Sequence, residues 1–394
     1  MTLEVYDAWP RRVVVGAGSA GQVVGEVQAL GCSRLLIVSD RGVVGTAAVG
    51  DLLALLRAEV EVVGVFAEVE SNPTDRGVDQ LVAFMREAQP DGLLAVGGGS
   101  PIDAAKCANL LLTHGGRAMD YVRGGPRSVE PGRLLPLVAV PTTAGTASEV
   151  TSVSVITDSA RGRKVSLSSP LLVPDASILD PLMTLSLPPH LTAYTGMDAL
   201  THLVEAYVST AGFAPAEGVA LAGVGIVQRA LPRAVAQGDD VQVRTDMLMA
   251  SMMGGVAFNH NRLGLVHAMA HQLSTACGLH HGLANGILLP RVMAFNLSAD
   301  PLKFAHIAQA LGVETAGVPI AVAALRGVKA VERLSREIGI PRSLAEVGVT
   351  REHIPAMVEM ALVDTALRRN PRPATAADVE DLYLSALEGR GVGA

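Results

Sequence analysis

The sequence predicts two domains, an α/β domain with a mostly parallel sheet over residues 1–186 and an all-α domain over residues 187–394. Two observations carry this expectation. In the first half, short β-branched runs alternate with helical stretches, the grammar of a sheet whose crossovers are helices. In the second half those runs fade, and Ala- and Leu-rich helical stretches suited to close packing replace them.

Taken in order, Arg12–Val15 leads into Gly16, and Arg34–Val38 ends at Ser39 and Asp40. Val60–Phe66, Gly92–Val96 and Leu135–Val140 follow, the last ending at Pro141. These runs are rich in Val, Leu or Ile and read as strands, most of them stopping at a polar or Gly-rich loop. Between them Gly21–Leu30, Thr74–Glu87 and Ile102–Leu112 read as helices. From Thr151 to Asp180 the pattern is irregular, with short polar strands at Val153–Asp158 and Lys164–Ser168. Leu185–His190, with its paired prolines, reads as a hinge. Helices are then expected at Leu191–Thr210, Ala216–Ala230, Val241–Asn259 and Leu263–Leu273. Further ones are expected at Leu302–Leu311, Val318–Ile338, Arg351–Leu367 and Ala376–Glu388.

Composition narrows the function classes. Of 394 residues, 49% are hydrophobic and 18% charged, which excludes a disordered chain. A formal net charge of −7 gives no basic footprint for nucleic acid. The apolar runs are broken by Gly, Pro or charge well before the ~20 residues that a membrane span needs. Met1–Pro10 lacks a basic region followed by an apolar stretch, so no signal peptide is expected. Cys32, Cys107 and Cys277 are odd in number and widely spaced, which favours reduced thiols in the cytoplasm over a disulfide framework.

Two Gly-rich loops compete for a phosphate. Gly16-Ala17-Gly18-Ser19-Ala20-Gly21 matches G-x-G-x-x-G after a strand, with Asp40 at the end of the next strand, the dinucleotide fingerprint. Gly97-Gly98-Gly99-Ser100-Pro101 also follows a strand and opens a helix containing Asp103 and Lys106. Backbone N–H groups at such a helix start suit a pyrophosphate. The second loop gains weight from Pro141–Glu149, which also follows a strand and offers the hydroxyls of Thr142, Thr143 and Thr146. Either loop alone is as well read as a tight strand-to-helix turn.

The helical half carries a histidine and carboxylate cluster. Asp198 and His202 are four residues apart and share a helix face, and His267 and His271 repeat that spacing. His281 follows, and five of the ten histidines fall between His260 and His281. One carboxylate with three imidazoles makes a donor set for Fe²⁺, Zn²⁺ or a similar ion. A structural metal or a polar helix interface is the bland alternative.

Together the blocks Gly97–Lys106, Pro141–Thr146, Gly196–His202 and Gly264–His267 resemble the signature blocks of iron-containing (group III) alcohol dehydrogenases. The resemblance runs in order through almost the whole chain. It implies an N-terminal dinucleotide-binding domain, a helical metal-binding domain and a catalytic cleft between them. It puts the metal, Fe²⁺ with Zn²⁺ as the substitute, on Asp198, His202, His267 and His281. It assigns NAD to Gly98, Gly99, Ser100, Asp103, Thr142, Thr143, Thr146 and Val155. Asn72 would stand near the nicotinamide and Lys164 near the ribose, and Asp40 would favour NAD over NADP by repelling a 2′-phosphate. The family does not use the Gly16–Gly21 loop as its main pyrophosphate cradle, which ranks that loop second.

The reaction implied is hydride transfer between a small primary alcohol or diol and NAD, with the metal as Lewis acid and His271 relaying the proton. The resemblance also suggests a homodimer or larger assembly. His260 and Arg262 depart from the family, where smaller residues are common, and His280 stands beside His281 as a decoy or an outer donor. Arg262 raises the reading of an acidic aldehyde as substrate, against a salt bridge that fixes the loop. A glycerol dehydrogenase-like zinc enzyme is the nearest rival. A protein that binds NAD and metal without turnover is the rival from another class.

Overall fold

The computed structural model describes residues 8–392 except 123, 124, 131 and 133. Two compact units divide the chain after Leu187.

The first unit is built on a six-stranded parallel sheet in the order β1-β8-β5-β4-β2-β3. Its strands are β1 (Val13–Val15), β2 (Arg34–Val38), β3 (Glu61–Phe66), β4 (Gly92–Gly97), β5 (Leu137–Pro141) and β8 (Ala176–Leu179). An antiparallel ribbon, β6 (Val153–Asp158) with β7 (Arg163–Ser168), stands apart from that sheet. The helices are α1 (Val23–Ala29), α2 (Arg41–Val44), α3 (Ala47–Glu59), α4 (Asp75–Ala88) and α5 (Gly99–His114). β2, β4 and β5 are buried along nearly their whole length because apolar clusters cover both sheet faces. This is why they read as continuous apolar runs rather than alternating ones.

The strand missed in the sequence is β8. Ala-Ser-Ile-Leu is short and only partly β-branched, yet it lies between β1 and β5 and is wholly buried. α3 was also missed, although Val49, Leu52, Leu53 and Leu56 recur at helical spacing.

The second unit is helical: α6 (Pro189–Val208), α7 (Ala214–Ala236), α8 (Val241–Asn261), α9 (Leu265–Cys277), α10 (His281–Asn296), α11 (Pro301–Ala310), α12 (Ile320–Glu337), α13 (Ile354–Val363) and α14 (Ala376–Glu388). α6 is buried on nearly all sides, packed by α7, α8 and α10. Among the described residues α7 alone is long and apolar enough for a membrane span by length and composition. It packs on α6 and α8 and carries Glu217, Arg229 and Arg233, as a core helix does. The stretch expected as one helix, Arg351–Leu367, breaks at Asp364. There the backbone is extended, and the Asp364 side chain accepts from Ala366 N instead of continuing the helix.

Candidate metal centre and cofactor loops

In the first unit the phosphate-loop candidates gather at the carboxyl ends of β4 and β5. α5 starts at Gly99 with no side chain capping it, so its first N–H groups are left for another partner. A Cβ on Gly99 would lie 2.8 Å from the Thr146 side chain, so only glycine lets the two loops approach this closely. Gly98 faces Thr143, and Thr142 N donates to Gly97 O at 2.9 Å. Ser100 Oγ donates to Ser71 O at 2.7 Å, which ties the segment bearing Asn72 to the start of α5. That segment is also held to the ribbon, since Thr157 N donates to Pro73 O at 2.8 Å and Thr157 pairs with Lys164. Asn72, Ser100, the threonines and Lys164 therefore belong to one connected set of loops. Asp40 ends its strand nearby in the sheet order, where its Oδ1 caps α2 by accepting from Val43 N at 2.9 Å.

Asp103 and Val155 meet each other. Val155 N donates to Asp103 Oδ2 at 3.0 Å, and the Ser148 hydroxyl donates to Asp103 Oδ1. Both carboxylate oxygens thus bond within the protein, and these two residues brace the loops rather than present free groups. Lys106, one turn on and 1% exposed, was named in the sequence without a role. Its ammonium donates to the carbonyls of Ser148 at 2.5 Å, Thr151 at 2.8 Å and Val153 at 2.9 Å. A buried ammonium thereby fastens the end of the threonine loop to α5. Burial pulls Lys106 down to about 8 against the attraction of Asp103 and Glu149. Burial likewise pushes the Glu149 carboxyl up to about 7.

The Gly16–Gly21 loop has a different occupant. Gly18 N and Ala20 N donate to the two oxygens of Asp180 at 3.1 and 2.9 Å, and Asp180 is buried at the end of β8. The N–H groups a pyrophosphate would need are already bonded to the chain's own carboxylate. The fingerprint is a structural turn.

In the second unit Asp198 Oδ1 lies 3.8 Å from His202 Nε2, 3.8 Å from His267 Nε2 and 3.7 Å from His281 Nε2. A tetrahedral ion with bonds of about 2.0–2.2 Å spaces its ligand atoms roughly 3.3–3.6 Å apart, so the three distances from the Asp198 oxygen lie within a few tenths of an ångström of that spacing. The tightest group is Asp198, His267 and His281, with ligand atoms all within 4.8 Å of one another. His202 joins it through Asp198 and stacks on His267 with ring centroids 4.7 Å apart.

Burial alone would raise the Asp198 carboxyl, but His202, His267 and His281 outweigh it and hold it far below the usual carboxylate range. Burial lowers His267, yet Asp198 and Glu205 overcome that and bring it up to about 9. The cluster favours positive charge at its centre.

The supporting residues were not found in the sequence. Glu205, one turn beyond His202, accepts from His267 Nδ1 at 2.6 Å, from Val266 N at 2.6 Å and from Gly264 N at 2.9 Å. It caps α9 and aims the other ring nitrogen of His267 at Asp198. Asn370 Oδ1 takes another N–H of that turn, Leu265 N at 3.1 Å. Asp364, at the helix break, holds His271 Nδ1 at 2.9 Å, and the His271 ring stacks on His281 at 5.3 Å. The one sequence signal for these carboxylates was helical spacing from the histidines, which only Glu205 has.

α10, not foreseen as a helix, starts at His281. A Cβ on Gly282 would lie 2.1 Å from Tyr194 O, so glycine is what lets α10 touch α6 beside Asp198. His260 is buried against Phe213, and the exposed His280 ring meets Tyr194. Arg262 is exposed at the turn after α8 with φ 67°, a strained conformation for a non-glycine residue.

The comparisons agree along almost the whole chain. Residues 10–181 match the sequence model described as iron-containing alcohol dehydrogenase, and residues 192–387 match the C-terminal model of the Fe-containing alcohol dehydrogenase family. The chain is 38% identical to the NAD-dependent methanol dehydrogenase of Bacillus methanolicus, covering 96% of this chain and 98% of that one. It is 40% identical to the 1,3-propanediol dehydrogenase of Klebsiella pneumoniae over 98% of this chain and 100% of the relative. The crystal structure of a 1,3-propanediol oxidoreductase superposes with a TM-score of 0.94 at 40% identity, over 98% of this chain and 100% of that one. The chain belongs to the iron-containing alcohol dehydrogenase family.

Proposed function

We infer that this protein is a metal-dependent, NAD-linked alcohol dehydrogenase that also runs in reverse as an aldehyde reductase. The observation that carries the reading is Asp198 Oδ1 standing 3.7–3.8 Å from three imidazole Nε2 atoms, with the His267 ring aimed by Glu205. When bound, the divalent metal supplies a Lewis acid for the substrate oxygen and NAD supplies the hydride acceptor.

The chain's own residues do the rest. Asp198, His202, His267 and His281 hold the ion, Fe²⁺ by family and Zn²⁺ by affinity. Asp364 accepts from His271 Nδ1 and so leaves Nε2 of that ring to take the alcohol proton or return it. Gly98, Gly99, Ser100, Thr142, Thr143 and Thr146 receive the pyrophosphate, with Asn72 toward the nicotinamide and Asp40 and Lys164 toward the ribose. The methanol and propanediol dehydrogenases among the relatives support a small primary alcohol or diol as substrate. A cytoplasmic homodimer or larger assembly completes the proposal.

The test is NADH oxidation followed by absorbance, with anaerobically purified Fe²⁺-loaded protein and a metal-stripped control. Short aldehydes, glycolaldehyde, lactaldehyde and an acidic semialdehyde form the panel. Metal-dependent turnover on the small neutral aldehydes is expected. Preference for the semialdehyde would transfer the substrate reading to an anion held by Arg262. NAD binding with no turnover on any of them would overturn the enzyme reading.

A further inference from the structure

The metal cluster contains a group that is not a titratable ligand. Asn285 lies one turn beyond His281 on α10 and is fully buried. Its Nδ2 is 2.7 Å from Asp198 Oδ1, 3.3 Å from His281 Nε2 and 3.4 Å from His267 Nε2. The amide nitrogen therefore stands against the same three atoms that form the tightest ligand group.

Chemistry fixes which way the amide faces. Turned over, its carbonyl oxygen would sit at 2.7 Å from a carboxylate oxygen, two acceptors in contact. With the nitrogen facing Asp198, Asn285 Oδ1 is left buried without a hydrogen-bond partner. Such an orphan is unfavourable. An apolar side chain of similar size would avoid that cost, so the amide must contribute through its N–H groups.

Those hydrogens are the positive end of a dipole that donates to the Asp198 carboxylate at 2.7 Å, with the two imidazole Nε2 atoms at 3.3 and 3.4 Å. We propose that Asn285 is a positioning residue of the metal centre, its amide nitrogen holding Asp198, His267 and His281 at ligand spacing before an ion arrives. The proposal rests on the metal reading of this cluster. It adds a residue that touches the ligands and keeps the site assembled.

The experiment titrates metal-stripped full-length protein with Co²⁺, reading the d–d absorption band and the thermal midpoint together. Wild type should bind Co²⁺ with a saturable band, and if it does not, the metal reading and this inference fail together. Asn285→Leu removes the donor and the orphan at once. It should weaken Co²⁺ binding by about 10–100-fold while the metal-stripped midpoint is unchanged or higher. Asn285→Asp keeps the shape but places an acceptor against Asp198, so its metal-stripped midpoint should fall and its gain on adding Co²⁺ should exceed that of wild type. It also decides the matter if the leucine variant does not fold. Wild-type binding with either folded variant within about threefold in affinity and with the same band would overturn the positioning role. So would a lowered midpoint in the leucine variant with an unaltered Co²⁺ band.

Discussion

The two units solve the problem of holding a charged ligand in opposite ways. In the first, the groups proposed to receive the cofactor's phosphates are backbone N–H and hydroxyls on loops at strand ends, and the buried charges lie behind them. Lys106 and Asp103 tie those loops together from within and leave the loop surface itself neutral. In the second, the proposed ligands are side chains on helices. Glu205 and Asn285 contact them directly, and Asp364 holds the neighbouring His271. A loop site takes its specificity from close backbone approach, so it needs glycine. A helix site takes it from side-chain chemistry, so it needs outer partners.

That contrast breaks most sharply at a ligand. Asp198→Ala should reduce metal content to background by elemental analysis while leaving NAD binding to the loops intact. Loss of both together would mean that the two sites are not separable. In the first unit, Lys106→Met strips the donor from three buried carbonyls and leaves Asp103 and Glu149 uncompensated. A destabilisation of about 3–5 kcal/mol in urea unfolding is expected, with weaker NAD binding in the folded fraction. An unchanged unfolding midpoint would show that the loops hold themselves.

Glu205→Gln tests the outer partner of His267 and should cost about 10–100-fold in metal affinity, with NAD affinity unmoved. The last effect concerns Glu149 and appears only as a dependence on pH. An acid raised from 4.5 to about 7 keeps its proton in the folded state over a window where the unfolded chain has lost it. Stability therefore falls as pH rises from 4.5 to 7, by up to about 3 kcal/mol. Glu149→Gln should flatten that fall, seen as a variant that gains on wild type between pH 5 and pH 7.5 in urea unfolding. A constant difference across the two pH values would sink the assignment.

Much of this was legible in the sequence because periodicity and spacing are local. The strand runs of β2, β4 and β6 and the helices α8 and α14 follow from pattern and capping alone. Asp198 and His202 share a face by their spacing of four. What escaped was set by tertiary partners. β8 is too short to signal itself, and its place is fixed by β1 and β5 on either side. The Gly16–Gly21 fingerprint is indistinguishable from a phosphate loop until Asp180, over 150 residues on, is seen to fill it. Asp364 looked like one more residue of a helix because nothing local says that it turns to His271, 93 residues away in sequence. Asn285 carries no charge and no motif, and only its distances reveal it.

The central claim is that the helical unit holds one catalytic ion on Asp198, His202, His267 and His281. The most direct measurement is anomalous diffraction at the metal edge from crystals of the Fe²⁺-loaded protein. The account predicts one strong peak, about 2.0–2.3 Å from Asp198 Oδ1 and from the Nε2 atoms of the three histidines. A peak elsewhere, or none from crystals of protein that is active only with added iron, would contradict it.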